Sequence, residues 1–143
     1  MTNTDIMNLS NAESFASLSL HPTVKVGAII VDRHKKIIST GVNCLPVRSD
    51  MSKIAERHTI HAELSAILSA LGRNFIYLSR CTLYCTHPPC SRCCAVIAHV
   101  GFITRVVAIQ GTDEYNEKWG KDCQEGQKIL AECNVIYEES FRI

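Results

Sequence analysis

Nothing in this chain of 143 residues is long and apolar enough to cross a bilayer, since no uninterrupted run approaches the roughly 20 residues a spanning helix needs. The first residues, Met1-Thr2-Asn3-Thr4-Asp5, show no basic segment followed by an apolar stretch, so no secretory leader is read and a cytoplasmic location is expected. Charge of one sign is lacking too. The formal net charge of +1 offers no global attraction to phosphate backbones and argues against a dedicated nucleic-acid binder. Internal repeats, low-complexity tracts and linkers are also missing. A chain of this length, 46% apolar and 20% charged, is therefore expected to form one domain over residues 1–143 with a single core.

Cysteine, by contrast, is abundant: eight residues, at 44, 81, 85, 90, 93, 94, 123 and 133. In a reducing compartment, clustered cysteines bind metal or perform chemistry, and scattered ones are small buried apolar residues. Only Cys90, Cys93 and Cys94 cluster tightly. The other five read as structural.

Hydrophobic periodicity orders the chain. A first helix is expected over Asp5 to Leu20, carrying Ile6, Met7, Phe15, Leu18 and Leu20. Val24 to Val31 and Ile37 to Asn43 are β-branched apolar runs joined by the charged turn Asp32-Arg33-His34-Lys35-Lys36, which reads as a hairpin. Cys44 to His58 is polar and reads as a loop. A helix follows from Thr59 through Leu64, Ile67, Leu68 and Leu71, with Gly72 as its terminator. Thr82 to Thr86 reads as a strand, and Pro88-Pro89 breaks it and starts a helix reaching Gly101. Thr104 to Ile109 is a buried strand, Glu117 to Cys133 a last helix containing Gly120 and Gly126, and Val135 to Tyr137 a final strand. The order α-β-β-α-β-α-β-α-β implies an α/β fold: a three-layer α/β/α sandwich with a mixed five-stranded sheet flanked by helices.

Two segments carry chemistry, and both fall at predicted helix starts: His61-Ala62-Glu63 and Pro89-Cys90-Ser91-Arg92-Cys93. A helix N-terminus favours thiolate over thiol, because unpaired amides and the macrodipole stabilise negative charge there. Cys90 and Cys93, three apart, share one face of a helical turn and can grip one ion. One histidine and two thiolates make three ligands, one short of a closed tetrahedron, which is the pattern of a catalytic rather than a structural zinc. Zinc lowers the pKa of a water from about 15.7 towards 7. Glu63, two positions after the histidine, is placed to carry that water's proton to a ring nitrogen and then to a departing amine. A lone Cys-x-x-Cys could equally be a redox dithiol, and a lone His-Ala-Glu carries no signal; the combination does. Cys94 points about 100° away around the helix and reads as core packing or a subunit contact. His87 stands beside the set, with pocket lining and solvent exposure equally open. His21, His34, His58 and His99 have no motif context and read as structural or surface residues.

His-x-Glu on one helix start and Pro-Cys-x-x-Cys on another is the arrangement of zinc-dependent cytosine and adenine deaminases. Over most of its length the chain resembles the deoxycytidylate (dCMP) deaminase family of the cytidine deaminase-like superfamily. The resemblance runs through His21-Pro22-Thr23-Val24-Lys25-Val26-Gly27-Ala28, similar to Asp-Pro-x-x-Lys-Val-Gly-Ala. It continues in Ile38 to Pro46, similar to Ser-Thr-Gly-Tyr-Asn-Gly-x-Pro, and in His61-Ala62-Glu63-Leu64-Ser65-Ala66-Ile67 and Thr82 to Cys93. It implies hydrolysis of dCMP to dUMP and ammonia, feeding thymidylate synthesis, with Glu63 as the proton carrier and addition at C4 of cytosine. dCTP and 5-modified dCMP stay open as substrates. By the same resemblance Asn43 bonds the deoxyribose, the Ala62 amide reads the pyrimidine carbonyl, Lys25 or Arg48 meets the phosphate, and Tyr115 stacks near the base. It further implies a homo-oligomer, trimer or hexamer, and no nucleic-acid partner.

The chain departs from the family at Val42 for tyrosine, Cys44 for glycine and Ser65 for asparagine. The first two leave regulation by dCTP and dTTP open. The stretch between Asn43 and His61 lacks the extra cysteine and histidine ligands of members with a second zinc, so one Zn2+ per subunit is expected. Other readings remain: a tRNA adenosine, free cytidine or guanine deaminase of the same fold, or a zinc-stabilised module without activity.

Overall fold

A computed structural model describes residues 1–46, 58–73 and 78–141. Its elements run α1 (Asn3–Ala16), β1 (Gly27–Val31), β2 (Ile37–Val42), α2 (Ala62–Gly72), β3 (Cys81–Cys85), α3 (Ser91–Val100), β4 (Ile103–Ile109), α4 (Asp113–Glu132) and β5 (Ile136–Ser140). This is the order expected from the sequence. The five strands form one sheet in the order β2-β1-β3-β4-β5. β1 pairs antiparallel with both β2 and β3, and β3-β4 and β4-β5 are parallel, so the sheet is mixed.

Alternation along the strands divides the core into two layers. Ile29, Val31, Tyr84, Val107 and Ile109 pack with Leu9 and Ala12 of α1. Ala28, Ile30, Leu83, Cys85, Val106 and Ala108 face the opposite way, against Ala66 and Ile67 of α2, Ile97 of α3 and Leu130 of α4. Fully buried branched side chains such as Ile29 and Ile30 each contribute on the order of 1.5–3 kcal/mol.

The first helix differs from its sequence reading. It ends at Ala16, and of the residues that suggested it only Phe15 packs inward: Ile6 is 51% and Met7 57% exposed, and Leu18 and Leu20 lie exposed beyond its end. Its inner stripe is Asp5, Asn8, Leu9, Ala12 and Ala16. Asp5 can be buried because its carboxylate is fully engaged. It accepts from Arg105 Nη1 at 2.8 Å and Nη2 at 3.0 Å, from the Tyr84 hydroxyl at 2.7 Å and from the Thr2 amide at 2.8 Å. Arg105 also reaches Glu138 at 2.9 Å, so one polar network ties α1 to β3, β4 and β5.

β1 starts three residues later than expected. α4 starts four residues earlier, because the Thr112 hydroxyl accepts from the Tyr115 amide at 3.2 Å and caps the helix there. Gly72 is the last helical residue rather than a left-handed terminator, and Arg73 occupies the cap. Gly101 does end α3 with φ 78°, a conformation glycine adopts at no steric cost.

Candidate active site

Two helix starts converge at one end of the sheet. α2 passes so close to β2 that a Cβ on Gly41 would collide with the Ala62 carbonyl and the Ala66 amide, and this fixes the height of the α2 N-terminus. His61 occupies the N-cap of α2 and Cys90 that of α3, both with extended backbone and neither making a side-chain cap hydrogen bond. The residues between β3 and α3, Thr86 to Pro89, deliver Cys90 to this point, and Cys93 follows on the first turn.

His61, Cys90 and Cys93 offer donor atoms that all lie within 4.8 Å of one another. His61 Nδ1 is 3.4 Å from Cys90 Sγ and 3.3 Å from Cys93 Sγ. A tetrahedral zinc with ordinary Zn–N and Zn–S bonds separates nitrogen from sulfur by about 3.6 Å, so the donors stand at nearly the spacing the ion requires. Two thiolates and one imidazole also suit zinc chemically, and three donors leave a four-coordinate ion one position for water. The residues present fit the metal.

Glu63 lies on the first turn of α2 with 4% of its surface exposed, and its Oε2 accepts from the Cys93 thiol at 3.6 Å. Burial pushes its carboxyl above the ordinary value, which suits a group that must hold and release a proton. The neighbouring thiols differ, and Cys90 is the one favoured as thiolate. Its thiol is drawn down, first by the hydrogen bond from Cys93 and further by His61.

His61, Glu63 and Cys90 line a cavity of about 530 Å³, and Cys93 lies behind them. Asn43, Ala62 and Tyr115, assigned to substrate by resemblance, also line it. Asn43 is tightly engaged: its Oδ1 accepts from the Val26 amide at 2.9 Å and the Ser19 hydroxyl at 2.6 Å, and its Nδ2 donates to the Val24 carbonyl at 2.7 Å. One Nδ2 hydrogen is left for a ligand. Tyr115 lies 4.9 Å from the His87 ring, centroid to centroid, and its hydroxyl donates to the Pro88 carbonyl at 2.7 Å. Its ring faces the cavity wall and its oxygen holds the Pro88 turn. Lys25 is exposed and is not part of this lining. Arg48 lies outside the described residues.

His87 lines the cavity, and so do residues that sequence reading missed: His21, Lys118 and Trp119. The Lys118 ammonium sits 5.2 Å from the Trp119 ring centroid. His21, read as structural or surface, does both jobs. Its Nδ1 is 3.3 Å from the Thr23 amide and 3.2 Å from the Val24 amide, which leaves the ring proton on Nε2. Its place in the His21-Pro22 motif was the one available signal. Cys94 is fully buried against Gly126 of α4, as core packing requires.

The family described as the cytidine and deoxycytidylate deaminase zinc-binding region matches residues 2–110. An uncharacterised deaminase of Aliivibrio fischeri is 33% identical over 130 residues, covering 87% of this chain and 84% of that one. The deoxycytidylate deaminase of Homo sapiens is 29% identical over 114 residues, covering 71% of this chain and 61% of that one, so the chain matches about three fifths of the human protein's length. Among solved structures, the apo dCMP deaminase of the cyanophage S-TIM5 matches with a TM-score of 0.78 at 26% identity, covering 98% of this chain and 100% of that one.

Proposed function

Since the chain belongs to the cytidine and deoxycytidylate deaminase family, we propose that it hydrolyses dCMP to dUMP and ammonia. The observation that carries this reading is a buried carboxylate, Glu63, set 3.6 Å from one of three converging metal donors on the floor of an open cavity. His61, Cys90 and Cys93 hold one zinc, which when bound supplies an acidified water as the nucleophile.

Glu63 accepts the proton that the water gives up and passes it to N3 of the cytosine as the C4–O bond forms. The proton of the new C4 hydroxyl then travels through Glu63 to the 4-amino group, the C4–N bond breaks and ammonia leaves, with the C4 carbonyl of uracil as product. Burial keeps bulk water from competing for these protons. The Ala62 amide reads the base carbonyl, and the remaining Nδ2 hydrogen of Asn43 meets the sugar. For the 5′-phosphate the cavity wall favours Lys118 over Lys25 on position alone, with Arg48 the other candidate from the sequence. The same reading carries a homo-oligomer, trimer or hexamer, which sedimentation measures; Leu68 and Leu71, exposed along α2, are candidate contacts.

The test is a substrate panel of dCMP, dCTP, cytidine and guanine, with zinc content measured on the same sample. The expected result is about one zinc per chain and the highest kcat/KM for dCMP. Turnover confined to an unphosphorylated substrate would overturn the nucleotide reading while leaving the deaminase standing.

A further inference from the structure

α3 begins without the device that usually starts a helix. The first amides of any helix lack intrahelical partners, and a side-chain oxygen at the N-cap normally satisfies one of them. Here the N-cap is Cys90, which makes no such bond, and the first turn of α3 carries no acidic residue. The missing acceptor comes from another helix. Asp122 of α4 places Oδ2 2.8 Å from the Ser91 amide and Oδ1 2.7 Å from the Ser91 hydroxyl, so both carboxylate oxygens grip the one residue that follows Cys90.

The contact is part of a larger backing. The Tyr115 hydroxyl donates to the Pro88 carbonyl, and the Cys123 thiol approaches the same oxygen at 3.5 Å. At Gly126 the lack of a side chain lets the Cys94 sulfur come against α4, where an added Cβ would stand 2.6 Å from it. Tyr115, Asp122, Cys123 and Gly126 thus hold the turn from Pro88 to Cys94 on both sides of the two cysteine donors. Asp122 is the contact nearest to them, and the only one of the four that fixes a backbone amide between Cys90 and Cys93.

We propose that Asp122 is a positioning residue for the metal donors: by capping α3 from α4 it holds the Cys90 and Cys93 sulfurs at the spacing that meets His61. Asp122 touches neither donor. It acts through Ser91, as groups bonded to the surroundings of a metal's ligands commonly do, and loss of such a group typically lowers metal affinity 10–100-fold. The inference rests on the metal reading of the site and is independent of which nucleotide is turned over.

The experiment compares wild type with Asp122→Ala, Asp122→Asn and Ser91→Ala. It measures the rate of zinc transfer to a chelating indicator, the thiolate-to-metal charge-transfer band of cobalt-substituted protein, and thermal unfolding. Thr2→Ala, which weakens the fold on the opposite face of the sheet, is the control for general destabilisation. Asp122→Ala is expected to lose zinc on the order of 10–100 times faster and to shift the cobalt band. Asp122→Asn keeps an acceptor for the Ser91 amide and should recover most of the loss. Ser91→Ala removes only the hydroxyl bond and should move the same way by a smaller factor; it keeps the test open if Asp122→Ala does not fold. Zinc release and a cobalt band equal to wild type in the folded variants would overturn the proposal. So would release that rises only as far as the Thr2→Ala control at equal unfolding temperature. If wild type itself binds no zinc, the metal reading fails and the role of Asp122 falls with it. If wild type binds zinc and the variants hold it equally well, only the role of Asp122 is lost.

Discussion

The four helices among the described residues start in two different ways. α1 opens on Thr2, whose hydroxyl accepts from the Asp5 amide while the Asp5 carboxylate accepts from the Thr2 amide, a reciprocal capping box. α4 opens on Thr112, with Asp113 and Glu114 in its first turn. α2 and α3 open on His61 and Cys90, and neither residue caps its helix. A threonine at an N-cap is worth about 0.5–2 kcal/mol over alanine. That stabilisation is present at the two helices that do not bear metal donors and missing at the two that do. What holds α2 is packing, through Ala66, Ile67 and Ala70, and what holds α3 is packing through Cys94 and Ile97 together with a cap borrowed from Asp122 of α4. Local rules of helix initiation are obeyed where the helix only supports the fold. They give way where the same position must present a ligand.

The largest effect expected from breaking this comparison lies at α2. Glu63→Ala should lower turnover by about 10²–10⁴-fold, with zinc content and unfolding temperature close to wild type, because the carboxylate is not needed to hold the ion. Metal analysis and steady-state rates on one preparation check this. Loss of zinc in the variant would make Glu63 a ligand instead, and unchanged turnover would remove it from the mechanism.

Next in size is a change at α1 that should leave the chemistry alone. Asp5 is 2% exposed and anchors Arg105, so Asp5→Ala removes one partner of a buried pair. It should destabilise the fold by about 3 kcal/mol, the lower end of the range for such losses because Arg105 stays partly exposed. Denaturant unfolding measures the loss, and kcat per folded molecule should be unchanged. The pH dependence has a definite sign. The Arg105 guanidinium, ahead of the Thr2 amide and the Tyr84 hydroxyl, holds the Asp5 carboxyl well below the usual carboxylate range. A group depressed in the folded state stabilises it fully above the ordinary carboxylate pKa, about 4, and loses that contribution as pH falls from there towards the folded value. Wild type should therefore lose stability more steeply than Asp5→Asn on acidification below about pH 5.

How much of this was legible follows from the range over which each feature is decided. The donors and Glu63 were readable because their spacing is local: two positions apart on one helix start and three apart on the other, with Pro88-Pro89 marking where the second begins. The succession of helices and strands along the chain was readable for the same reason, while the order of the strands in the sheet, set by pairings distant in sequence, was not. The inner face of α1 was not. Hydrophobicity pointed Ile6 and Met7 inward, but Asp5 is drawn in by an arginine 100 residues away, a partner no local pattern reveals. Tyr115 was named as a residue near the base, yet the cap at Thr112 was overlooked. Its hydroxyl bond to Pro88 depends on α4 beginning at Asp113 and lying against the metal-bearing turn. Asp122 and His21 were missed alike, since a carboxylate that caps a helix from 31 residues away and a histidine folded onto its own turn look ordinary in sequence.

The smallest expected effects sharpen the comparison most directly. Thr112→Ala should destabilise the protein by about 1 kcal/mol with zinc content close to wild type, since it removes no metal donor and leaves the Asp122 grip on Ser91 in place. The reverse substitution at α3 tests the other half. Cys90→Ser puts a good capping oxygen where a donor sulfur stood and removes one of three metal ligands. Measured without metal, in the presence of a chelator, the variant should be at least as stable as metal-free wild type and up to about 1 kcal/mol more so. Measured with zinc it should lose the stabilisation that the ion confers on wild type, because a bound metal stabilises only the state that binds it. A metal-free Cys90→Ser protein less stable than metal-free wild type would mean that the cysteine sulfur already caps α3. The contrast between the two pairs of helices would then be one of chemistry alone, and not of stability given up for function.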